Sequence, residues 1–172
     1  SFFGLDFGFT NDPSAFVHVK IDEKNKTLYI VDEYVKKHML NNQIAEAIKS
    51  LGYVKERIYA DSAESKSIAE IATKEIPRIQ AVKKGEGSIM QGIQFIQQYR
   101  IVIDERCFKT IEEFENYTWK KDKKTGEYKN EPVDTYNHCI DAIRYALSEA
   151  ITKLKKKQNV DKKMQMAKRL SG

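Results

Sequence analysis

The sequence has 172 residues, of which 41% are hydrophobic and 32% charged, and its 30 lysines and arginines exceed its 25 acidic residues. At roughly 100–200 residues per domain, this length predicts a single domain with a substantial buried core. No segment approaches the roughly 20 consecutive apolar residues that a membrane span needs, which excludes an integral membrane protein. With only Cys107 and Cys139, a disulfide framework is excluded, and an intracellular protein is favoured.

The positive charge is concentrated at the C-terminus. Residues 153–172 contain eight basic residues and one acid, a net charge of +7, whereas residues 1–152 contain 22 basic and 24 acidic residues, a net charge of −2. The overall charge therefore does not by itself indicate a nucleic-acid-binding domain. We predict a folded domain over residues 1–152 and a flexible basic tail over residues 153–172. Because the chain starts without Met inside an apolar run, we also expect a domain excised from a longer polypeptide.

The order of the predicted elements indicates the fold class. Alternation of apolar and polar residues, with turn residues between the runs, predicts strands over residues 2–9, 15–21, 27–35, 57–61, 79–82 and 100–104 and a hairpin over 117–121 and 127–129. Helical spacing of apolar residues predicts helices over residues 42–51, 65–75, 88–99, 110–116 and 134–155. An antiparallel three-strand meander followed by alternating strands and helices predicts an α/β domain, with a mixed sheet covered by helices on both faces.

Three aspartates lie where a structural role alone does not readily explain them. Asp6 lies in an apolar, aromatic strand, where desolvation of a carboxylate is costly unless it is compensated. Asp61 ends the next clear strand after the meander, and the carboxyl ends of such strands border ligand crevices. Asp141 lies in the last helix, within ~60° of His138 and beside the apolar stripe. We therefore expect these side chains to meet at one edge of the sheet.

Each of these residues also has a purely structural interpretation. Asp6 could form a salt bridge or lie at the end of a turn, and Asp61 could cap a helix. Asp141 could form a surface pair with Arg144, with Asp134 as the N-cap of the last helix. His138 could be a polar packing residue.

Taken together, the three aspartates predict a divalent-metal site. Carboxylate oxygens are hard ligands that select Mg²⁺ or Mn²⁺ rather than Zn²⁺. Clustered carboxylates repel one another and need cations to remain ionised together. Two ions ~3.5–4 Å apart can activate water and stabilise the leaving oxygen of a phosphodiester.

Four short motifs resemble one protein family. They are Gly4-Leu5-Asp6-Phe7-Gly8, Asp12-Pro13-Ser14-Ala15, Tyr59-Ala60-Asp61-Ser62-Ala63-Glu64 and Asn137-His138-Cys139-Ile140-Asp141-Ala142-Ile143-Arg144-Tyr145-Ala146. Residues 2–150 resemble the C-terminal nuclease domain of the large terminase subunit of tailed bacteriophages. The resemblance implies a ribonuclease H-like fold, two Mn²⁺ or Mg²⁺ ions, and endonucleolytic cutting of concatemeric viral DNA during packaging. It further implies that Asp6, Asp61 and Asp141 are metal ligands and that His138 is a further ligand, a neighbour of the ligands or a proton carrier.

The same resemblance implies the partners. These are double-stranded DNA, an N-terminal ATPase motor of the same full-length protein, and the portal and small terminase subunit, in the cytoplasm of the infected bacterial host. The sequence contains no G-x-x-x-x-G-K-[ST] phosphate-binding loop, so ATP hydrolysis is not encoded in these residues.

Two lysine-rich segments could contact DNA phosphates. Lys83 and Lys84 precede a predicted helix, whose N-terminus could also hold a phosphate. The hairpin combines Trp119 and Tyr128 with a group of lysines, namely Lys120, Lys121, Lys123 and Lys124. A solvated loop and a charged hairpin that resists edge pairing are the alternatives. Glu112, Glu113 and Glu115 are interpreted as a solvated helix face.

The leading hypothesis is thus a metal-dependent DNA endonuclease. A Holliday-junction resolvase or a transposase core of the same fold is an alternative. From a different class, a non-catalytic DNA-docking or assembly module is also compatible with the sequence.

Overall fold

The computed structural model describes residues 1–8, 11–153 and 164–166. The strands in these ranges are β1 (Phe2–Asp6), β2 (Pro13–Asp22), β3 (Thr27–Lys37), β4 (Ile58–Ala60), β5 (Ile79–Ala81), β6 (Arg100–Ile103), β7 (Trp119–Lys121) and β8 (Tyr128–Pro132). The helices are α1 (Asn41–Ser50), α2 (Ser65–Thr73), α3 (Ser88–Ile96), α4 (Phe108–Asn116) and α5 (His138–Ala146), and a 3₁₀ turn, Ser62–Glu64, precedes α2. After a turn at Leu147, residues 148–153 are again helical.

Six of the strands form one mixed sheet in the order β5-β4-β1-β2-β3-β6. The antiparallel pairs β1–β2 and β2–β3 make the predicted meander. β4 and β5 extend the sheet in parallel beyond β1, and β6 lies parallel to β3. β7 and β8 form a separate antiparallel hairpin. The prediction of a mixed α/β sheet is confirmed.

Helices cover both faces of the sheet because side chains alternate along the strands. Phe3, Leu5 and Phe16 belong to the hydrophobic core that contains apolar residues of α1 and α2. Val17 and Val19, which point the other way, belong to the core that contains residues of α3 and α5. The predicted two-sided arrangement of helices is confirmed.

The largest error in the predicted boundaries concerns the last helix. It begins at His138, not near residue 134, and its N-cap is Asn137 rather than Asp134. Tyr136, just before this cap, has a left-handed φ of 54°. A right-handed helix cannot continue through this conformation, so α5 begins after it. The remaining boundaries shift by only a few residues; Phe9, predicted to belong to the first strand, lies outside the described residues.

The C-terminal part of the chain is described only over residues 148–153 and 164–166, both of them helical. Most of the basic tail predicted for residues 153–172 therefore lies outside the described residues. Among the described helices, none has both the length and the apolar composition to cross a membrane.

Helix α5 lies directly on the backbone of β1 at Gly4. A Cβ atom on Gly4 would lie 1.9 Å from the carbonyl oxygen of Ala142 and 2.8 Å from the backbone nitrogen of Ala146. Such separations are far below van der Waals contact, so only glycine permits this approach. The contact sets how close the residues of α5 come to the end of β1.

We predict that Gly4→Ala lowers the free energy of unfolding by at least about 1–3 kcal/mol, because the added methyl group forces α5 away from β1. Gly85→Ala is the matched control, since a Cβ atom there would have no neighbour within 4 Å. Urea unfolding followed by circular dichroism measures both. Equal unfolding midpoints for the two variants would contradict the prediction.

Candidate active site

Parallel pairing of β1 with β4 places Asp6 and Asp61 side by side. Leu5 and Ala60 are partners in the sheet register, and each is followed by one of the two aspartates. The backbone N–H of Asp61 donates to the carbonyl oxygen of Leu5 at 3.2 Å. Both aspartates therefore lie at the carboxyl ends of adjacent strands; the sequence predicted this for Asp61, whereas Asp6 was expected inside a strand that continued to residue 9.

Helix α5 brings His138 and Asp141 close to Asp6 at the end of β1. The Nδ1 atom of His138 hydrogen-bonds with Oδ2 of Asp6 at 3.2 Å, and its Nε2 atom lies 3.8 Å from Oδ1 of Asp12. Asp141 follows one helical turn later, and its charge acts on Asp6. The structure thus brings His138 and Asp141, in the first turn of α5, close to Asp6, which lies beside Asp61; a catalytic role for these four residues stays a prediction.

The carboxylate of Asp61 has three hydrogen-bond partners among the described residues. Lys84 Nζ lies 2.5 Å from Oδ1, which also accepts the backbone N–H of Ala63 at 2.9 Å. The Tyr145 hydroxyl donates to Oδ2 at 3.2 Å. Asp61 is therefore the N-cap of the 3₁₀ turn, the alternative raised for it, and it also faces the other aspartates. The sequence pattern did not single out Tyr145, although its position four residues after Asp141 places it on the same helix face.

Asp141 is paired with Arg144, and this pair is not on the surface. Arg144 Nη2 donates to Oδ1 of Asp141 at 2.6 Å, and the Arg144 side chain is only 6% exposed. Its methylene groups pack over Gly92 of α3, where a Cβ atom would lie 2.7 Å from Arg144 Cδ. The interpretation of an exposed pair is wrong because α3 covers the arginine.

Burial disfavours ionisation of two of the three aspartates. Burial raises the pKa of Asp6 to about 6, and the charges of Asp141 and Asp61 add to this effect while the hydrogen bond with His138 opposes it. Burial also raises the pKa of Asp141, although Arg144 opposes the shift. For Asp61, burial is outweighed by the Ala63 N–H and the Lys84 ammonium, so its pKa lies below the ordinary value.

The oxygen donors suit a hard divalent cation, but the chain's own groups already contact them. Asp6 contacts His138, Asp61 contacts Lys84, and Asp141 contacts Arg144. Across the described ranges, no group of three or more His, Cys, Asp or Glu side chains is placed to hold one metal ion. Their assignment as joint metal ligands therefore stays a prediction.

The lysine-rich segments contain both paired and exposed lysines. Lys83 is exposed, whereas Lys84 points to Asp61. In the β7–β8 hairpin, Lys120 pairs with Glu131 at 2.5 Å, and Lys121 lies 4.8 Å from the ring centre of Tyr128. Lys123 and Lys124 lie in the hairpin turn, and both are exposed. Contact of any of these residues with DNA stays a prediction.

Glu113 was misjudged from the sequence. It is 6% exposed rather than solvated, and its Oε2 accepts the backbone N–H of Ile140 at 3.0 Å, in the first turn of α5. Asn137, the N-cap of this helix, makes no side-chain capping bond. Glu113 therefore supplies the cap from α4 and positions the start of the helix that carries His138. A cap that comes from another helix leaves no signal in the local sequence.

Comparison with known proteins identifies relatives over most of the chain. The family model described as "Terminase RNAseH like domain" matches residues 6–149. The large terminase subunit of Bacillus phage SPP1 is 36% identical over 153 residues, which are 87% of this chain and 36% of that protein. The PBSX phage terminase large subunit of Bacillus subtilis (strain 168) is 34% identical over 148 residues, 85% of this chain and 34% of that protein. The chain thus spans about a third of the length of these relatives.

Solved structures agree with this result. The nuclease domain of the SPP1 large terminase (g2p), determined with bound Mn, superposes with a TM-score of 0.81 at 35% identity and covers 87% of this chain and 85% of that one. The nuclease domain of the P22 large terminase has a TM-score of 0.64 at 18% identity, covering 87% of this chain and 80% of that one, and supports the fold alone.

We predict that Glu113→Ala lowers the free energy of unfolding by about 1–3 kcal/mol, because it leaves buried N–H groups of α5 without an acceptor. Glu113→Gln keeps a carbonyl oxygen that can accept and is expected to be less destabilising. Glu112→Ala is the control on the same helix, because its side chain is 47% exposed and pairs with Lys109 at the surface. Urea unfolding measures all three, and a Glu113→Ala midpoint equal to that of Glu112→Ala would exclude the capping role.

Proposed function

The chain belongs to the terminase RNase H-like domain family, the nuclease domain of bacteriophage large terminase subunits, and we propose that it hydrolyses phosphodiester bonds of double-stranded DNA in a divalent-metal-dependent reaction. The observation that carries the proposal is the grouping of Asp6, Asp61 and Asp141 where β1, β4 and the first turn of α5 meet. Burial and mutual repulsion of these carboxylates favour the binding of external positive charge.

Asp6, Asp61 and Asp141 would hold the metal, and we propose two Mg²⁺ or Mn²⁺ ions. Their hard oxygen donors match these cations, and the SPP1 relative was determined with bound Mn. Bound ions of this kind supply the charge that activates water and stabilises the leaving oxygen of a phosphodiester.

The chain's own residues have separate tasks in this proposal. His138, with one ring nitrogen toward Asp6 and the other toward Asp12, is placed to hold a proton at Nε2 beside the reacting groups. Lys83 and the lysines of the β7–β8 hairpin attract the DNA backbone to a domain whose net charge over residues 1–152, these lysines included, is −2. Since phosphate contacts carry no sequence information, we expect little sequence preference.

Within a full-length protein, we propose that this domain cuts concatemeric viral DNA during genome packaging. Its partners would be an N-terminal ATPase motor of the same polypeptide, the portal and the small terminase subunit, in the cytoplasm of the infected bacterium. The share of the SPP1 relative that this chain covers, 36%, leaves room for a motor region in a protein of that size.

We predict that Asp6→Asn, Asp61→Asn and Asp141→Asn each lower Mn²⁺-dependent plasmid nicking by at least about 100-fold, because each removes one anionic ligand at the reacting centre. Each change should also reduce the rise in melting temperature that Mn²⁺ produces, since ligand binding stabilises the folded state. Asp22→Asn is the matched control, because Asp22 is the last residue of β2, at the opposite end of this strand from Ala15, the partner of Asp6, and its carboxylate bonds locally to Asn25.

Undiminished nicking by Asp61→Asn would remove that residue from the proposed site. DNA binding by the unaltered protein without cleavage in Mn²⁺ would instead favour a docking module. Cleavage of branched DNA in preference to linear duplex would favour a junction resolvase.

We predict that the double variant Lys123→Gln, Lys124→Gln binds duplex DNA more weakly. The plot of log affinity against log salt concentration should also become less steep, by up to about 0.9 for each phosphate that the lysines no longer neutralise. The charge-matched control is Lys66→Gln with Lys74→Gln at α2, which packs on the opposite face of the sheet from α5. Fluorescence anisotropy across a salt series measures both, and equal slopes for the two double variants would exclude the hairpin turn from the DNA interface.

A further inference from the structure

The Oδ1 atom of Asp61 is fully occupied by groups of the chain itself. A carboxylate oxygen has two lone pairs, and here one faces Lys84 Nζ at 2.5 Å while the other accepts the Ala63 N–H at 2.9 Å. Any cation that binds this oxygen must therefore displace one of the two donors. Ala63 is fixed in the 3₁₀ turn that Asp61 caps, so its N–H cannot leave without unwinding that turn.

Lys84, by contrast, has a long, partly exposed side chain that can leave Asp61 without unwinding a helix or turn. It lies in the loop between β5 and α3, its side chain is 39% exposed, and Gly85 follows it with no atom within 4 Å of a Cβ position. The loop borders a depression of about 380 Å³, which is lined by Lys84, Glu86, Ser148 and Thr152 among others. This depression offers the ammonium group an alternative position away from Asp61. Arg144, the cation on Asp141, is buried on α5 and has no comparable freedom.

Lys84 also contacts more than one part of the site. Its Nζ atom lies 5.1 Å from the ring centre of Tyr145, whose hydroxyl donates to the other oxygen of Asp61. The ammonium group therefore holds Asp61 and the Tyr145 ring together. A flexible cation in this position neutralises part of the carboxylate cluster without a metal.

We propose that Lys84 is the internal counter-ion of Asp61, and that a divalent cation gains this carboxylate by displacing the Lys84 ammonium group. The inference rests on the proposed metal-dependent function and adds a residue that sets how tightly the metal binds. Displacement leaves Lys84 beside the metal site, with its positive charge available for a phosphate group of the DNA.

Removing the competitor should tighten metal binding. In Lys84→Met, we expect the dissociation constant for Mn²⁺, measured by isothermal titration calorimetry, to fall about fivefold, which corresponds to an ion pair of about 1 kcal/mol. Lys83→Met is the matched control, since it removes the neighbouring charge from an exposed side chain and leaves the ion pair of Lys84 with Asp61 in place. Lys84→Arg, which keeps the charge, should bind Mn²⁺ close to the unaltered affinity.

Thermal unfolding provides a second readout that does not depend on cleavage. Without Mn²⁺, Lys84→Met should melt at a lower temperature than Lys83→Met, because Asp61 no longer has its counter-ion. With saturating Mn²⁺, its melting temperature should rise by more than that of the control.

Equal or weaker Mn²⁺ binding by Lys84→Met relative to Lys83→Met would overturn the proposal, because the metal would then reach the site without displacing Lys84. Absence of Mn²⁺ binding in all four proteins would overturn it together with the proposed metal site. If the expected order of affinities is found but no DNA is cut, the competition stands and the nuclease proposal fails.

Discussion

The close contact between α5 and β1 at Gly4 is the constraint on which the candidate site depends. Because no side chain separates the helix from the strand, the first turn of α5 lies beside the end of β1. His138 thereby reaches Asp6, and Asp141 comes near enough for its charge to act on that residue. Glu113 fixes the same turn from α4 by accepting the Ile140 N–H. The close approach at Gly4 and the cap from Glu113 thus determine where His138 and Asp141 lie relative to Asp6.

Charge compensation within the site explains how three aspartates remain together in one place. Each has a cationic or imidazole partner from the chain, and these partners differ in exposure. Arg144 is covered by α3 and stays with Asp141, whereas Lys84 comes from an exposed loop. In our proposal, Lys84 is the partner that a metal ion exchanges, while Arg144 stays on Asp141. The slight negative charge of residues 1–152 partly reflects this cluster rather than a general repulsion of DNA.

Several features were accessible from the sequence because their signals are local. The period-two alternation of Thr27–Lys37 and the helical spacing of α1 predicted the meander and the first helix nearly correctly. The placement of Asp6 in an apolar strand indicated that its carboxylate needed compensation, and His138 contacts it. The start of α5 was missed because its cap, Glu113, lies on another helix and the expected cap, Asp134, is not used.

The sequence by itself determined the class of fold, the terminase family and the three aspartates as a group, because periodicity and short motifs depend on neighbouring residues in the chain. Only the tertiary structure decided which cation lies on which carboxylate. Lys84 is 23 positions from Asp61, and Glu113 is 27 positions from Ile140, so no local pattern relates them. Their contacts follow from the order of strands in the sheet and from the depth to which α5 packs on Gly4, since these alone bring distant loops and helices to the same edge.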